Sequence, residues 1–297
     1  MKFINLSLLI ITALITGGCS GVRQCKAPDL RLPETIAGNT ADTVTIADIE
    51  WWKFYGDSAL CRIIQRTLDN NRDLQAAAAR MEQARQAYRV SKADLFPTLN
   101  GSVLADHETN DYYGEGFKGD PQHDLKASLN WEIDLWGKFR WSKRKGEALW
   151  KASVEDERAM RMSLIADVAT AYFNLVALDN ELAIVRRTLV NREEGVAKAK
   201  LRFEGGLTSE LVYQQTQVEY ASTATLIPNL ESRIKVTENA ISLLIGEFPD
   251  AQIARSHAEI EMMPADHLPV GLPSQLLERR PDLRAAEQNL RAAMAGV

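Results

Sequence analysis

The clearest hydrophobic pattern of the chain lies in residues 124–135, where apolar and polar positions alternate. Side chains of a strand point alternately to opposite faces, so this segment predicts a strand with one apolar and one polar face. Its length, about 11 residues, suits a tilted strand that crosses a bilayer. Residues 99–106 predict a partner strand, although Leu104 is out of phase, and the polar residues 107–123 predict a connecting loop.

Two environments fit this predicted hairpin. In a bilayer the apolar face would contact lipid and the polar face would line a watery lumen with Lys126, Ser128, Asn130, Glu132 and Asp134. The tryptophans at the end of the second strand would then form an interfacial aromatic girdle: Trp131, Trp136 and Trp141. Alternatively, the hairpin belongs to a soluble sheet whose apolar face packs on a core. The alternation fits both.

Helical periodicity dominates the rest of the chain. A first helix begins near Ser58, and a second covers about residues 73–94, where Pro97 ends it. Residues 142–203 contain no proline and predict a single helix of about 60 residues and about 90 Å. Patterns of that length are typical of coiled coils.

A second long helix follows a tight turn, which we call the tip, and returns along the first. Gly205 and Gly206 break the long helix, Thr208 or Ser209 can cap the next one, and that helix extends to about residue 245. Pro228 is expected to kink it. The pattern therefore predicts two very long antiparallel helices.

The beginning of this arrangement recurs near the end of the chain. Residues 71–77 (NRDLQAA) resemble residues 280–286 (RPDLRAA), and the segments before them also correspond, with Leu68 opposite Leu277. Such repeats define a structural unit. We therefore expect a second repeat that starts near residue 276 and stops before its own hairpin.

The N-terminus has the pattern of a targeting segment. Lys2 and the apolar residues 3–15 form a signal peptide that is too short to span a bilayer as a helix. Small residues before Cys19 resemble the bacterial lipobox and imply lipidation of Cys19, although Thr16 stands where Leu is usual. A plain secretory signal with an incidental cysteine is the alternative. Ser20, where an Asp would favour inner-membrane retention, favours the outer membrane.

Composition and charge narrow the functions. The net charge of −5 leaves no basic footprint for nucleic acid, and no later stretch of 18 apolar residues predicts a second membrane helix.

Cys25 and Cys61 could pair in an oxidising compartment or stay unpaired. The four histidines lack ligand spacing, so no metal or cofactor is expected. The glycine motif of residues 114–119 lies between two strands, which predicts a loop rather than a phosphate site. No pattern of catalytic residues is found, so no enzyme is expected.

Five short segments form a spaced set of motifs: residues 51–57 (WWKFYGD), 73–74 (DL), 132–137 (EIDLWG), 202–209 (RFEGGLTS) and 272–283 (LPSQLLERRPDL). Together they resemble the outer-membrane efflux factor family, TolC-like channels, in its lipoprotein branch. The resemblance implies a mainly α fold with a β-hairpin, in which long coiled-coil helices form a periplasmic α-barrel and amphipathic strands join a transmembrane β-barrel.

The resemblance also implies partners. These are two further copies in a homotrimer, a periplasmic adaptor protein, an inner-membrane pump that supplies the energy for passive export, and outer-membrane lipid. The adaptor would contact the helical tip at Arg202, Phe203, Gly205, Gly206, Thr208, Ser209 and Leu211. Family members carry a second hairpin and a second long helix pair. Because unpaired strand edges are costly in lipid, we expect that this chain as given does not close the trimeric barrel.

The expected organisation has eight parts: residues 1–18 as signal peptide, 19–57 as lipidated extended tail, 58–97 as first helix pair, 98–136 as transmembrane hairpin, 137–204 as long periplasmic helix, 205–247 as tip and returning helix, 248–275 as connection, and 276–297 as start of the second repeat. The alternative function is a periplasmic adaptor or scaffold lipoprotein with a coiled-coil hairpin. An adaptor needs neither a membrane-length amphipathic strand nor the repeat, so both features favour the channel.

Overall fold

The fold was analysed in a computed structural model. It describes residues 49–110, 114, 116, 118–249, 252–256 and 273–296. The predicted signal peptide, Cys19, Cys25 and most of the expected tail and connection lie outside these residues. In chain order the elements are helices α1 (Trp51–Tyr55), α2 (Ser58–Asn70) and α3 (Arg72–Ala93), strands β1 (Thr98–Asn110) and β2 (Lys118–Asn130), and helices α4 (Lys138–Glu204), α5 (Glu210–Ile245), α6 (Pro273–Arg279) and α7 (Pro281–Met294).

The chain divides into two compact units. The core unit comprises the described residues of Leu32–Ala79 and Asp156–Pro281, and the hairpin unit those of Arg80–Glu155 and Asp282–Val297. Helix α4, with 67 residues and a length of about 100 Å, contributes to both.

The core unit is built around one apolar cluster shared by α2, α4 and α5. Its most deeply buried members are Leu60, Ile64, Val168, Tyr172, Leu175, Ile241 and Ile245. In α4 and in α5 these residues recur three or four positions apart, which places them on one face of each helix. The burial of this face, rather than intrinsic helix propensity, supplies most of the stability of such helices.

Side-chain and glycine caps set the helix ends in the core unit. Asp57 accepts hydrogen bonds from the backbone N–H groups of Ala59 (2.7 Å) and Leu60 (3.2 Å), so it begins α2. Asn71 accepts from Leu74 N (2.9 Å) at the start of α3, while its amide donates to Leu244 O (2.9 Å). Gly246, at φ +81°, ends α5 in the left-handed conformation.

The helices of the hairpin unit pack through a ring stack, a close approach at a glycine and an ion pair. The rings of Tyr88 in α3 and Trp150 in α4 stack at 5.8 Å between centroids. A Cβ at Gly146 would lie 3.3 Å from the Cα of Tyr88, so glycine permits this close approach. Arg284 in α7 pairs with the buried carboxylate of Glu155 at 2.8 Å. Helix α7 thus packs on α4 within this unit.

The strands differ from the sequence prediction. Both have 13 residues, and they pair from Thr98 with Asn130 to Asn110 with Lys118. The segment expected to be a loop is therefore largely strand. Strand β2 ends at Asn130, so the prediction of strand for residues 131–135 is wrong.

Two further expectations need correction. Residues 51–55, expected to be extended, form α1. Helix α5 contains Pro228 and extends through it without a break, and the expected kink there stays a prediction. Helix α4 does contain a stretch long and apolar enough to cross a membrane. Its apolar residues Val168 and Leu175 are buried in the core cluster, which explains that composition without a membrane.

Candidate functional sites in the strand hairpin and the helical tip

The register of the hairpin separates its residues into two faces. Paired residues share a face, so one face holds Leu99, Gly101, Val103, Ala105, Leu125, Ala127 and Leu129, and we call it the apolar face. The opposite, polar face holds Thr98, Asn100, Ser102, Lys126, Ser128 and Asn130, with Leu104 as its exception. Side chains on the apolar face are strongly exposed, and Val103 and Leu125 each retain 80% of their accessible surface. The described chain does not cover this face.

The alternation predicts Asp134 on the polar face of a strand, but its carboxylate contacts the start of helix α4 instead. Its carboxylate accepts hydrogen bonds from the backbone N–H (2.9 Å) and side-chain Nε (3.3 Å) of Arg140, in the first turn of α4. Desolvation works to raise the pKa of Asp134, but the hydrogen bonds from the Arg140 and Phe139 backbone and the Arg140 guanidinium outweigh it, so the pKa lies below its usual value. Asp134 therefore caps α4, because helix N-termini present unpaired N–H groups to an anion.

Glu132 also lies beyond the end of β2. Its exposed carboxylate is 3.4 Å from the ammonium group of Lys138. The prediction that strand alternation carries Glu132 and Asp134 onto the polar face is thus wrong, since no strand is present there. The structure brings Lys126, Ser128 and Asn130 together on that face, with Lys126 paired to Asp124 at 3.2 Å.

The helical tip closes with a defined C-cap. The N–H of Gly206 donates to Phe203 O (2.9 Å) and that of Leu207 to Arg202 O (2.8 Å), the two bonds of a Schellman motif. Gly206 has φ +72°, which side-chain-bearing residues rarely adopt. Ser209 occupies the N-cap position of α5 with extended backbone, but its side chain makes no capping hydrogen bond.

Apolar side chains surround this turn. Leu201, Leu207 and Leu211 are strongly exposed, and the rings of Phe203 and Tyr213 stack across the two helices at 5.9 Å. Of the predicted contact residues, Thr208 is half-buried and the others are exposed. The structure thus brings all seven predicted tip residues to one short turn.

Ion pairs connect the two long helices away from the turn. Arg192 pairs with Glu219 and Arg186 with Glu231, each at 2.7 Å. Exposed pairs of this kind contribute only about 0–1 kcal/mol each. They favour the antiparallel register of α4 and α5 more than they stabilise the fold.

Comparison with known proteins places these surfaces in context. The profile of a family described as outer membrane efflux protein matches residues 63–247. The chain belongs to this family.

Two curated relatives and one solved structure are similar over nearly the whole chain. The probable outer membrane lipoprotein SilC of Salmonella typhimurium is 30% identical over 98% of this chain and 63% of its own length. The cation efflux system protein CusC of Escherichia coli O6:H1 is 30% identical over 96% of this chain and 62% of its own. A crystal structure of a membrane protein from Pseudomonas aeruginosa superposes with a TM-score of 0.78 at 30% identity, over 93% of this chain and 63% of that one. The chain thus spans less than two thirds of the length of these relatives.

Family membership confirms the predicted resemblance and the predicted fold class. Long helices and an antiparallel strand pair are what the sequence predicted, and the solved structure of the outer-membrane channel OprN shares this fold. The sequence did not predict which side chains connect the helices within the core unit.

Tyr172 makes an internal contact that connects three segments of the core unit. Its buried hydroxyl donates to Asp57 Oδ2 (2.8 Å) and accepts from the backbone N–H of Ser256 (3.0 Å). Burial raises the pKa of Tyr172 to about 12, the Ser256 N–H opposes this shift, and the Asp57 carboxylate adds to it. One hydroxyl thus joins the start of α2, the middle of α4 and the segment after α5.

Arg255 provides a second attachment for that segment. Its guanidinium lies 2.6 Å from Asp179 of α4 and 2.7 Å from Glu238 of α5, beside the buried side chain of Ile253. An Asp directly before a helical pattern is an N-cap signal that could have identified Asp57. No signal in the sequence relates Tyr172 or Arg255 to their partners, which lie far away along the chain.

Proposed function

We propose that this chain is a subunit of an outer-membrane channel through which small molecules are exported passively in a tripartite efflux system. Three copies would each give strand pairs to a shared barrel and their long helices to a periplasmic tunnel. An inner-membrane pump would supply the energy, and a periplasmic adaptor would connect the two membranes. Family membership supports this proposal at the coarser level of an outer-membrane efflux protein.

The hairpin is the observation that carries the proposal. A soluble protein would cover the apolar face with a core, yet Val103 and Leu125 each remain 80% exposed. Each strand has 13 residues, more than the 9–11 or so that a tilted transmembrane strand requires. With lipid on the apolar face and water on the polar face, both sets of side chains lie in favourable surroundings. On this arrangement Lys126, Ser128 and Asn130 line the lumen.

The helical tip supports the proposed contact with an adaptor. Its exposed leucines, Leu201, Leu207 and Leu211, surround a turn whose backbone is held by the Schellman motif. Apolar side chains at the end of a paired helix offer a groove to a partner helix. The tip residues Arg202, Phe203, Gly205, Gly206, Thr208, Ser209 and Leu211 are the proposed contact surface.

The N-terminus supports attachment to the membrane through lipid. Cys19 follows two glycines at the end of an apolar segment, as a lipidated cysteine does. The relative SilC bears the name of a probable outer membrane lipoprotein. We infer that Cys19 is lipidated and that the chain resides in the outer membrane, extending into the periplasm.

Site-specific fluorescence tests the proposal. Cys25 and Cys61 are replaced by Ser, and a fluorophore is attached to either Leu125→Cys or Lys126→Cys in isolated outer membranes. We expect lipids with brominated chains to quench the probe at position 125 and aqueous iodide to quench the probe at position 126. The two positions are neighbours in β2, so each is the matched control for the other. If iodide quenches both probes and brominated lipid quenches neither, the hairpin is outside the membrane and the proposal fails.

A further inference from the structure

The apolar face of the hairpin has two different ends. At the end where Thr98 pairs with Asn130, the exposed aromatic residues Phe96 and Trp131 flank the hairpin. The indole N–H of Trp131 donates to Leu95 O at 3.4 Å. At the other end the side chains on this face change from Val103 and Ala105 to His107 and His123. Apolar residues are therefore bounded by aromatic rings on one side and by imidazoles on the other.

The register makes the two histidines neighbours. His123 is opposite Ala105 and His107 is opposite Pro121, so the imidazoles are diagonal partners on one face. Diagonal partners in an antiparallel pair lie about 7–8 Å apart, within reach of long or aromatic side chains. Both histidines are exposed. One ligand surface can therefore meet both at once.

The spacing along the strands fits a membrane. The level of His107 lies ten residues from Trp131 along β2, about 33 Å at about 3.3 Å per residue. With a strand tilt of about 40°, this distance corresponds to a height of about 25 Å, which is the height of the lipid-facing band of a membrane barrel. If Trp131 marks one interface, His107 lies at the level of the headgroups of the opposite interface, and His123, two residues nearer to Trp131, lies just inside that level.

The charges near the imidazoles favour an anionic ligand on this face. No other position on the apolar face of either strand carries a titratable side chain. The acidic residues adjacent to the histidines in sequence, Asp106, Glu108 and Asp124, occupy positions of the polar face. Asp124 pairs with Lys126, and Asp106 accepts the His107 backbone N–H at 2.8 Å. A protonated imidazole pair thus meets no competing carboxylate on its own face.

We propose that His107 and His123 form a binding site for the phosphate groups of membrane lipids at one edge of the apolar face. The inference rests on the proposed function, because it requires that the hairpin cross a bilayer. A protonated imidazole forms a charge-assisted hydrogen bond with a phosphate, so bound phosphate and bound protons favour each other, and the contact is stronger at low pH than at high pH.

Heat unfolding of the full chain in vesicles tests the site. Vesicles of phosphatidylcholine alone are compared with vesicles that contain anionic phosphatidylglycerol, each at about pH 5.5 and about pH 7.5. We expect the anionic lipid to raise Tm by roughly 4 °C more at the lower pH than at the higher one. The double variant His107→Gln/His123→Gln should lose this additional rise. The matched control His257→Gln/His267→Gln, which changes the other two histidines of the chain, should keep it.

The outcomes separate the site from the proposed function. Lipid quenching of a probe at position 125 first reports whether the hairpin is inserted. An inserted hairpin whose Tm responds identically in the wild type and in the double variant overturns the phosphate site and leaves the channel intact. A hairpin that is not inserted under any condition overturns both.

Discussion

The core unit and the strand hairpin contain similar apolar residues in opposite surroundings. Leu175 of the core unit is completely buried among helices of its own chain, whereas Leu125 of the hairpin retains 80% of its surface. Burial of a leucine side chain contributes about 1.5–3 kcal/mol. The chain itself supplies that contribution to the core unit, while the hairpin obtains it only from surroundings such as lipid. Equal hydrophobicity therefore has different structural consequences in the two regions.

The largest expected effect comes from removing a packed side chain. Leu175→Ala should lower the free energy of unfolding by about 2–5 kcal/mol, because a cavity remains among tightly packed helices. Leu125→Ala should cost less, about 1 kcal/mol, because Leu125 faces only Val103 across the strand pair and the fluid around it closes over the lost volume without leaving a cavity. Urea unfolding of the detergent-solubilised protein, followed by helical circular dichroism, measures both. Equal losses would contradict the distinction between the two regions.

A charge introduced on the apolar face of the hairpin should destabilise the protein more than a charge on the polar face. Val103→Lys places an ammonium group midway along the apolar face and should cost about 2–4 kcal/mol in a bilayer, because a charge is poorly solvated in lipid. Ser102→Lys, on the polar face of the same strand, should cost close to nothing. Urea midpoints in lipid vesicles give the comparison. A similar cost for both substitutions would mean that the two faces meet the same medium.

Two glycines with left-handed backbone sharpen the comparison further. A Cβ at Gly246 of the core unit would lie 2.6 Å from Asn70 O, whereas a Cβ at Gly114 in the hairpin loop would meet nothing within 4 Å. Gly246→Ala should therefore cost about 2–3 kcal/mol from clash and strain, and Gly114→Ala about 1 kcal/mol from strain alone. Thermal unfolding measures the difference. A larger loss at Gly114 would show that backbone strain, rather than packing, governs these positions.

The smallest expected effect concerns the Tyr172 hydroxyl. Tyr172→Phe should lower the free energy of unfolding by about 1–2 kcal/mol at neutral pH, because Asp57 and the Ser256 N–H each lose a partner. The pKa of Tyr172 is raised from 10.0 to about 12 in the folded chain. The folded state thus holds this proton more tightly, and the associated stability is present below about pH 10 and is lost between about pH 10 and pH 12.

Urea unfolding across that alkaline range checks the pH dependence. The difference in stability between wild type and Tyr172→Phe should shrink as the pH rises from about 10 to about 12. Tyr88→Phe, which changes a tyrosine stacked on Trp150 in the hairpin unit, serves as the control. A difference that stays constant with pH would indicate that the Tyr172 hydroxyl acts only through its volume.

Periodicity predicted the helices well because it extends over many turns. The expected helix at residues 142–203 corresponds to α4, which extends from Lys138 to Glu204, and the expected end near residue 245 is that of α5. Strand ends were harder to predict. Alternation continues through Trp131, Ile133 and Leu135, but pairing stops at Asn130, because a strand requires a partner as well as a pattern.

The predicted site residues divide in the same way. The tip could be predicted because Gly205 and Gly206 interrupt a long helical pattern, and glycine there permits the left-handed C-cap. The polar face was predicted correctly only as far as the strand exists, at Lys126, Ser128 and Asn130. Asp134 was wrongly predicted on the polar face of the strand. It contacts the first turn of α4, and the alternating pattern gives no sign of where that helix begins.

The sequence by itself determined the long helices, the two-faced strand pair, the tight tip and the resemblance to efflux channels, since each depends on spacing along the chain. Only the tertiary structure decided which residues meet across it. Tyr172 and Asp57 lie 115 positions apart yet share a hydrogen bond, and Arg255 joins two helices at once. Such contacts depend on how helices pack and on which groups are withdrawn from water, and local patterns carry no record of either.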